Sequence, residues 1–212
     1  MFHKVKLEKY KGILIDLDDT LYVYEPNHQR ALAAFLKVFS AQYNVRDEQS
    51  METYLLARIT VHQQLHGQAA SHSRLLYAKT MIEMQTGKTN AAFDLQMEKI
   101  YWDTFLTEIA LHPLAIEFLD SCLMQKIPVA IVTDLTTAIQ LRKFEHLGLG
   151  KWINLMITSE EAGAEKPAAA PFLMALNKMG LTPQEVIMIG DSAKKDQAGA
   201  VALGIDWIHP FE

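Results

Sequence analysis

The chain has 212 residues, half of them hydrophobic and 21% charged, with a net charge of −5. That length suits one sizeable domain or a core with a smaller insert, and the composition is that of a soluble globular protein. The acidic balance argues against sequence-independent nucleic-acid binding, no apolar run approaches the ~20 residues of a membrane span, and the single Cys122 allows no internal disulfide, as suits a reducing cytoplasm.

The polar start "MFHKVKLEKYKG" does not read as a signal peptide. The first apolar run, "GILIDL" (12–17), is rich in Ile and Leu and reads as a strand buried on both faces. It ends in three acids within four positions, Asp16, Asp18 and Asp19. Carboxylates so close repel one another and resist desolvation, so something positive is expected among them.

No comparable strand run follows until about residue 110. Instead "HQRALAAFLKVFSAQY", "METYLLARITVHQQLH", "SRLLYAKTMIEMQTG" and "NAAFDLQMEKIYWDTFL" carry helical periodicity, with Ala31, Leu32, Phe35, Leu36 and Phe39 on one face of the first. Four such helices suit a small bundle. The core resumes at "LHPLAIEFL" and then alternates. Strand-like runs are "IPVAIVT" (127–133), "INLMIT" (153–158), "EVIMIG" (185–190) and "GIDWIH" (204–209), separated by helical stretches, two of which close on glycine. Strand–helix alternation predicts an α/β fold, a Rossmann-like parallel sheet. The expected division is a core of residues 1–22 and 109–212, with an α-helical bundle of residues 23–108 inserted after the first strand, over the end that carries the acids.

In open α/β sheets function gathers at the carboxyl ends of strands. Four positions line up there: Asp16-Leu17-Asp18-Asp19-Thr20, Thr133-Asp134, Lys166-Pro167, and Gly190-Asp191-Ser192 with Asp196 five residues beyond Asp191. Oxygen ligands without Cys or His point to a hard cation such as Mg²⁺. A metal ion and Lys166 would then offset the repulsion.

With these four motifs in order, each at a strand end, the sequence resembles the haloacid dehalogenase (HAD) superfamily over nearly its whole length. The helical insert matches that superfamily's first type of cap. The resemblance implies an Mg²⁺-dependent phosphatase of a small phosphorylated metabolite. In that reading Asp16 is the nucleophile that forms an aspartyl phosphate. Asp18 protonates the leaving alkoxide and then deprotonates the hydrolytic water, its acid form favoured by neighbouring negative charge. Asp16, Asp191 and the backbone carbonyl of Asp18 hold Mg²⁺. Thr133, Asp134 and Lys166 form the phosphate-binding set, and Asp196 supports the metal shell or orients Lys166. The alternatives are a sugar phosphomutase of the same superfamily and a non-catalytic binding module. Dehalogenation is disfavoured, since it needs neither the second aspartate nor the metal.

Residue 134 is Asp where many relatives carry Asn, which adds negative charge near the phosphate. Lys194 and Lys195 stand where acidic or polar residues are frequent, and they read as helix-start surface. Asp19 reads as structural, and Thr20 as fixing the loop by a side-chain hydrogen bond. His62, His66 and His72 read as ordinary exposed or capping residues, and Met81, Met84 and Met97 as bundle filling. Tyr22, Tyr24 and Arg30, close behind the acids, are candidates to touch the leaving group. Neither the substrate nor the oligomeric state is readable.

Overall fold

The computed structural model describes residue 2 and residues 5–211. The chain divides into two compact units: Met1–Tyr24 with Ala110–Glu212, and Glu25–Ile109. The breaks lie one or two residues beyond those expected from the periodicity.

The first unit is built on five parallel strands: β1 (Gly12–Ile15), β2 (Val129–Thr133), β3 (Leu155–Thr158), β4 (Val186–Ile189) and β5 (Asp206–Ile208). Their order is β3-β2-β1-β4-β5, so the strand with the acids is central. Parallel pairing needs long crossovers, supplied here by helices. These are α5 (Pro113–Met124) before β2, α6 (Thr137–His146) after it, the short α7 (Ser159–Ala162) with α8 (Ala169–Met179) after β3, and α9 (Ala198–Ala202) after β4. The expected α/β class and parallel sheet are present. The one-turn α7 has no counterpart in the sequence pattern, being too short to carry a period.

Every residue of β1, β2 and β4 is buried, which is why these runs are apolar throughout. Leu14, Ala130, Val132 and Met188 share a cluster with Phe172, Ala175 and Leu176 of α8, whose i, i+3, i+4 spacing lays one helix face on the sheet. Burying each large aliphatic side chain there contributes about 1.5–3 kcal/mol. A Cβ on Gly199 would stand 2.4 Å from the Phe172 ring, so α9 approaches α8 only through a glycine.

Register sets the site. Ile15 pairs with Ile131 on one side and Ile189 on the other, and Thr133 pairs with Thr158. β1 and β4 finish level at Ile15 and Ile189, β2 runs two residues further to Thr133, and the next residues, Asp16, Gly190 and Asp134, leave the sheet at its carboxyl edge. The backbone N–H of Asp16 donates to Ile189 O at 2.9 Å, which pins the first acid to the tip of β4.

The second unit comprises α1 (Glu25–Tyr43), α2 (Asp47–Gln64), α3 (Arg74–Thr86) and α4 (Ala91–Leu106). Ser73 and Asn90 cap α3 and α4 by accepting from Leu76 N–H and Phe93 N–H, and Gly87 ends α3 in the left-handed region. Its core is aromatic: Phe35 meets Tyr54 and Tyr101 edge-on, and Tyr54 meets Tyr77. Met81 and Met97 are buried within it, but Met84 is 43% exposed and does not fill the bundle as its spacing had suggested. The buried Arg74 lies over the rings of Tyr77, Tyr101 and Trp102. Among the described residues, no helix is long and apolar enough to cross a membrane.

Candidate active site

Past β1 the chain reverses at once. Asp19 takes a positive φ of 59°, a conformation Asp tolerates better than most residues, and its Oδ1 accepts from Tyr24 N–H at 2.8 Å. Asp19 thus shapes the turn. Thr20, fully buried, donates to Asp191 Oδ1 at 3.4 Å and accepts from Asp191 N–H at 3.2 Å, so its hydroxyl ties the first loop to the fourth.

Lys166, in the loop before α8, reaches back under the sheet edge. Its Nζ donates to Asp16 Oδ1 at 2.7 Å, Asp196 Oδ1 at 2.6 Å and Val132 O at 2.9 Å. Burial opposes its charge, but Asp16, Asp196 and Asp134 outweigh burial and hold the ammonium protonated well above the usual lysine range. Asp196 lies on a π-helical turn, Ala193–Gln197, and its Oδ2 accepts from Ser192 N–H at 3.1 Å. A Cβ on Gly190 would fall 2.3 Å from that carboxylate, so glycine is required at the end of β4.

Asp16, Asp191 and Asp196 each offer a carboxylate oxygen, and the three atoms lie within 4.8 Å of one another. Magnesium binds oxygen at about 2.0–2.1 Å, which puts oxygens on opposite sides of the ion about 4 Å apart. The spacing and the all-oxygen donor set fit such an ion. The electrostatics point the same way. Burial, partly countered by Lys166 and reinforced by Asp196 and Asp18, pushes Asp16 well above the usual carboxylate range. Burial, then Asp196 and Asp19, raises Asp191. One lysine does not balance this much negative charge. Asp196 bonds Lys166 and belongs to the same group of three carboxylates.

Asp18 is different. Both of its oxygens accept from Lys143 Nζ, at 2.7 and 2.9 Å, Tyr22 OH donates to Oδ1, and Gln140 Nε2 lies 3.4 Å from Oδ2. Burial raises its pKa, but Lys143, Tyr22 and Gln140 more than reverse that and leave it below the ordinary value. The expectation that surrounding negative charge favours its acid form is corrected: its immediate neighbour is a cation.

Thr133 is buried and accepts from Gln140 at 2.7 Å. Asp134 turns its carboxylate to Lys195 Nζ at 2.7 Å, and Oδ1 accepts from Lys166 N–H at 3.0 Å. The extra charge at position 134 is thus neutralised within the fold. Lys195, read as surface, is its partner. Tyr22 meets Asp18 and is 1% exposed, while Arg30 pairs with Glu108 in the helical unit. Among the described residues, His62, His66 and His72 form no group suited to an ion. His62 Nε2 instead lies 2.8 Å from Tyr77 OH.

The residues that sequence reasoning missed are Gln140 and Lys143. Both lie on the buried face of α6 beside Ile139, a face where polar residues are out of place. That was the available signal.

Comparison with known proteins adds to this geometry. Residues 10–204 match the family of haloacid dehalogenase-like hydrolases. The chain is 40% identical over 198 residues to the ribulose-1,5-bisphosphate 5-phosphatase of Halopiger xanaduensis, covering 93% of this chain and 83% of that protein. It is 25% identical over 208 residues to the phosphoglycolate phosphatase of Escherichia coli, covering 93% and 80%. The fold is shared with a HAD phosphatase from Thermococcus onnurineus (TM-score 0.73, 21% identity, 92% of this chain and 84% of that one). It is shared equally with a 2-haloacid dehalogenase from Pseudomonas syringae (TM-score 0.71, 23% identity, 94% and 86%). The fold alone does not separate the two chemistries.

Proposed function

The chain belongs to the haloacid dehalogenase-like hydrolases, and from that premise we propose that it is an Mg²⁺-dependent phosphatase of small phosphorylated metabolites. The observation that carries this reading is the meeting of Asp16, Asp191 and Asp196, with Lys166 Nζ bonded to Asp16 Oδ1 at 2.7 Å and to Asp196 Oδ1 at 2.6 Å. A dehalogenase, which attacks carbon, has no use for so many carboxylates.

Asp16 attacks phosphorus through a carboxylate oxygen; the phosphorus–ester oxygen bond breaks and an aspartyl phosphate forms. Lys166 and Thr133 hold phosphoryl oxygens, and Lys166 also offsets the charge of Asp16. Asp18, which Lys143 holds ionised in the free protein, takes up a proton when the negative charge of the phosphate arrives beside it and gives that proton to the departing alkoxide. In the second step it takes one from the water that attacks phosphorus, which regenerates Asp16 and releases phosphate. The Lys143 contact stabilises the ionised Asp18 that this second step requires. Asp16 and Asp191, with Asp196 and the Asp18 carbonyl at hand, would hold Mg²⁺, which supplies positive charge to phosphoryl oxygens. Asp134 acts on the phosphate site indirectly, through its hold on Lys166 N–H and Lys195.

Residues 25–109 serve as the cap that excludes water and selects substrate. The 40% relative makes phosphorylated sugars the first class to test. A cytoplasmic setting is part of this reading; Cys122 is buried, and burial pushes its thiol up to about 12. The test is phosphate release from ribulose-1,5-bisphosphate, phosphoglycolate, hexose phosphates and nucleoside monophosphates with Mg²⁺ and then with EDTA. Release that depends on Mg²⁺ supports the reading; folded protein inert toward the whole panel overturns it.

A further inference from the structure

Helix α6 sends two polar side chains, one turn apart, into the buried edge of the site. Lys143 is fully buried, yet its Nζ bonds both oxygens of Asp18, whose side chain keeps 23% of its surface exposed. A buried ammonium is costly unless it is well paired, and apolar residues of similar size usually serve a core as well or better. Gln140, also fully buried, spends its amide nitrogen on three acceptors: Thr133 Oγ1 at 2.7 Å, Asp134 O at 2.7 Å and Asp18 Oδ2 at 3.4 Å. Its Oε1 is buried without a hydrogen-bond partner, so the side chain is held by its donor end alone. Tyr22 OH closes the ring of donors on Asp18.

Resting on the phosphatase reading, we propose that Lys143 and Gln140 are positioning residues that fix the Asp18 carboxylate against the phosphate-binding end of β2. The difference in exposure assigns the roles. Lys143, fully buried, has no surface through which to touch a substrate, and its ammonium reaches the site through Asp18, beside the rings of Tyr22 and Tyr24. Gln140 links Asp18 to Thr133, so that the group that moves the proton and a group that holds the phosphoryl oxygens keep a fixed separation. Such separations matter, because small displacements of a catalytic group lower the rate steeply.

A residue that acts through the proton donor betrays itself by leaving-group dependence. Phenyl phosphate and 4-nitrophenyl phosphate have nearly the same shape, but phenolate is the more basic leaving group and needs the proton more. The experiment measures the pre-steady-state burst of each phenol with Mg²⁺ for wild type, Lys143→Met, Lys143→Arg and Gln140→Met. The Lys143→Met variant is expected to slow the burst from phenyl phosphate at least about tenfold more than that from 4-nitrophenyl phosphate, with KM within about threefold of wild type. Lys143→Arg restores part of the lost phenyl phosphate rate, and Gln140→Met shows a smaller bias in the same direction. Should Lys143→Met fail to fold, the Arg and Gln140 variants carry the same test. Equal losses on both esters, or no loss on either, overturn the inference. Wild type that releases neither phenol overturns the phosphatase reading and the inference with it.

Discussion

Asp16 and Asp18 leave the same strand two residues apart, and their surroundings push them in opposite directions. Around Asp16 gather Asp191 and Asp196, with Lys166 shared by Asp16 and Asp196, and burial drives the pKa of Asp16 well up. Around Asp18 gather Lys143, Tyr22 and Gln140, and their donors outweigh burial and hold its pKa down. Without a metal ion, the ionised Asp18 adds stability above the ordinary value of 3.8 and loses it as pH falls below that value. Asp16 does the reverse, costing stability as pH rises above 3.8. One carboxylate is complete with the protein's own cation; the other calls for one from outside. A nucleophile must be ionised and a proton donor protonated, the reverse of this metal-free order, so in the proposed reaction a cation beside Asp16 and a phosphate beside Asp18 have to turn both shifts round.

The contrast is broken most severely at Lys166. Its replacement in Lys166→Met leaves Asp16 and Asp196 buried without their shared counter-charge, a loss expected at about 3–5 kcal/mol of stability. Turnover should fall by about 10²–10³-fold or more, as when a donor to the reacting group is removed. Thermal unfolding and phosphate release measure the two effects. Unchanged stability would mean that the Asp16 side is balanced in some other way.

Asp191→Asn tests the same side more gently. It removes a charge from a group whose ionised form is disfavoured. The metal-free variant should therefore melt higher than wild type, by about 2–4 °C for each kcal/mol gained. It should also lose most of the rise in Tm that Mg²⁺ gives wild type by mass action. A variant that melts lower without metal, yet keeps the full Mg²⁺ response, contradicts the assignment of Asp191 to the metal.

The smallest effect sharpens the comparison by removing a background. In the helical unit, burial and then Arg74 depress His28 to about 4, and its Nδ1 lies 2.6 Å from Tyr101 OH. Between the usual 6.5 and about 4 the unfolded chain binds a proton that the folded chain refuses. Stability is therefore whole above 6.5 and declines as pH falls toward 4. His28→Gln should flatten this part of a urea-denaturation series, leaving the carboxylates to account for the rest. An unchanged slope would show that His28 titrates normally.

The strand tips were legible because Ile- and Val-rich runs buried on both faces stop abruptly where polar chemistry begins. Asp16, Thr133 and Asp191 could be placed from that; Lys166, beyond α7 and away from any strand tip, could not, and the superfamily resemblance supplied the roles expected of all four. The Asp18 environment was not legible. Lys143 follows Arg142 in a largely polar helix, and only Ile139, one turn earlier on the same face, hints that position 143 turns inward. The pairing of Asp134 with Lys195 spans 61 residues, and no local pattern carries it. Periodicity reports which face is buried; it does not report which polar group a long side chain finds there.

The account turns on Asp16 carrying the phosphoryl group. The most direct test is to mix enzyme with 4-nitrophenyl phosphate and Mg²⁺, quench in acid within the first turnover, and map the adduct by peptide mass. One phosphoryl group per chain, on the peptide of Asp16 and absent from Asp16→Asn and from EDTA-treated enzyme, is the predicted result. Turnover with no adduct on Asp16, or an Asp16→Asn variant that works at the wild-type rate, would contradict it.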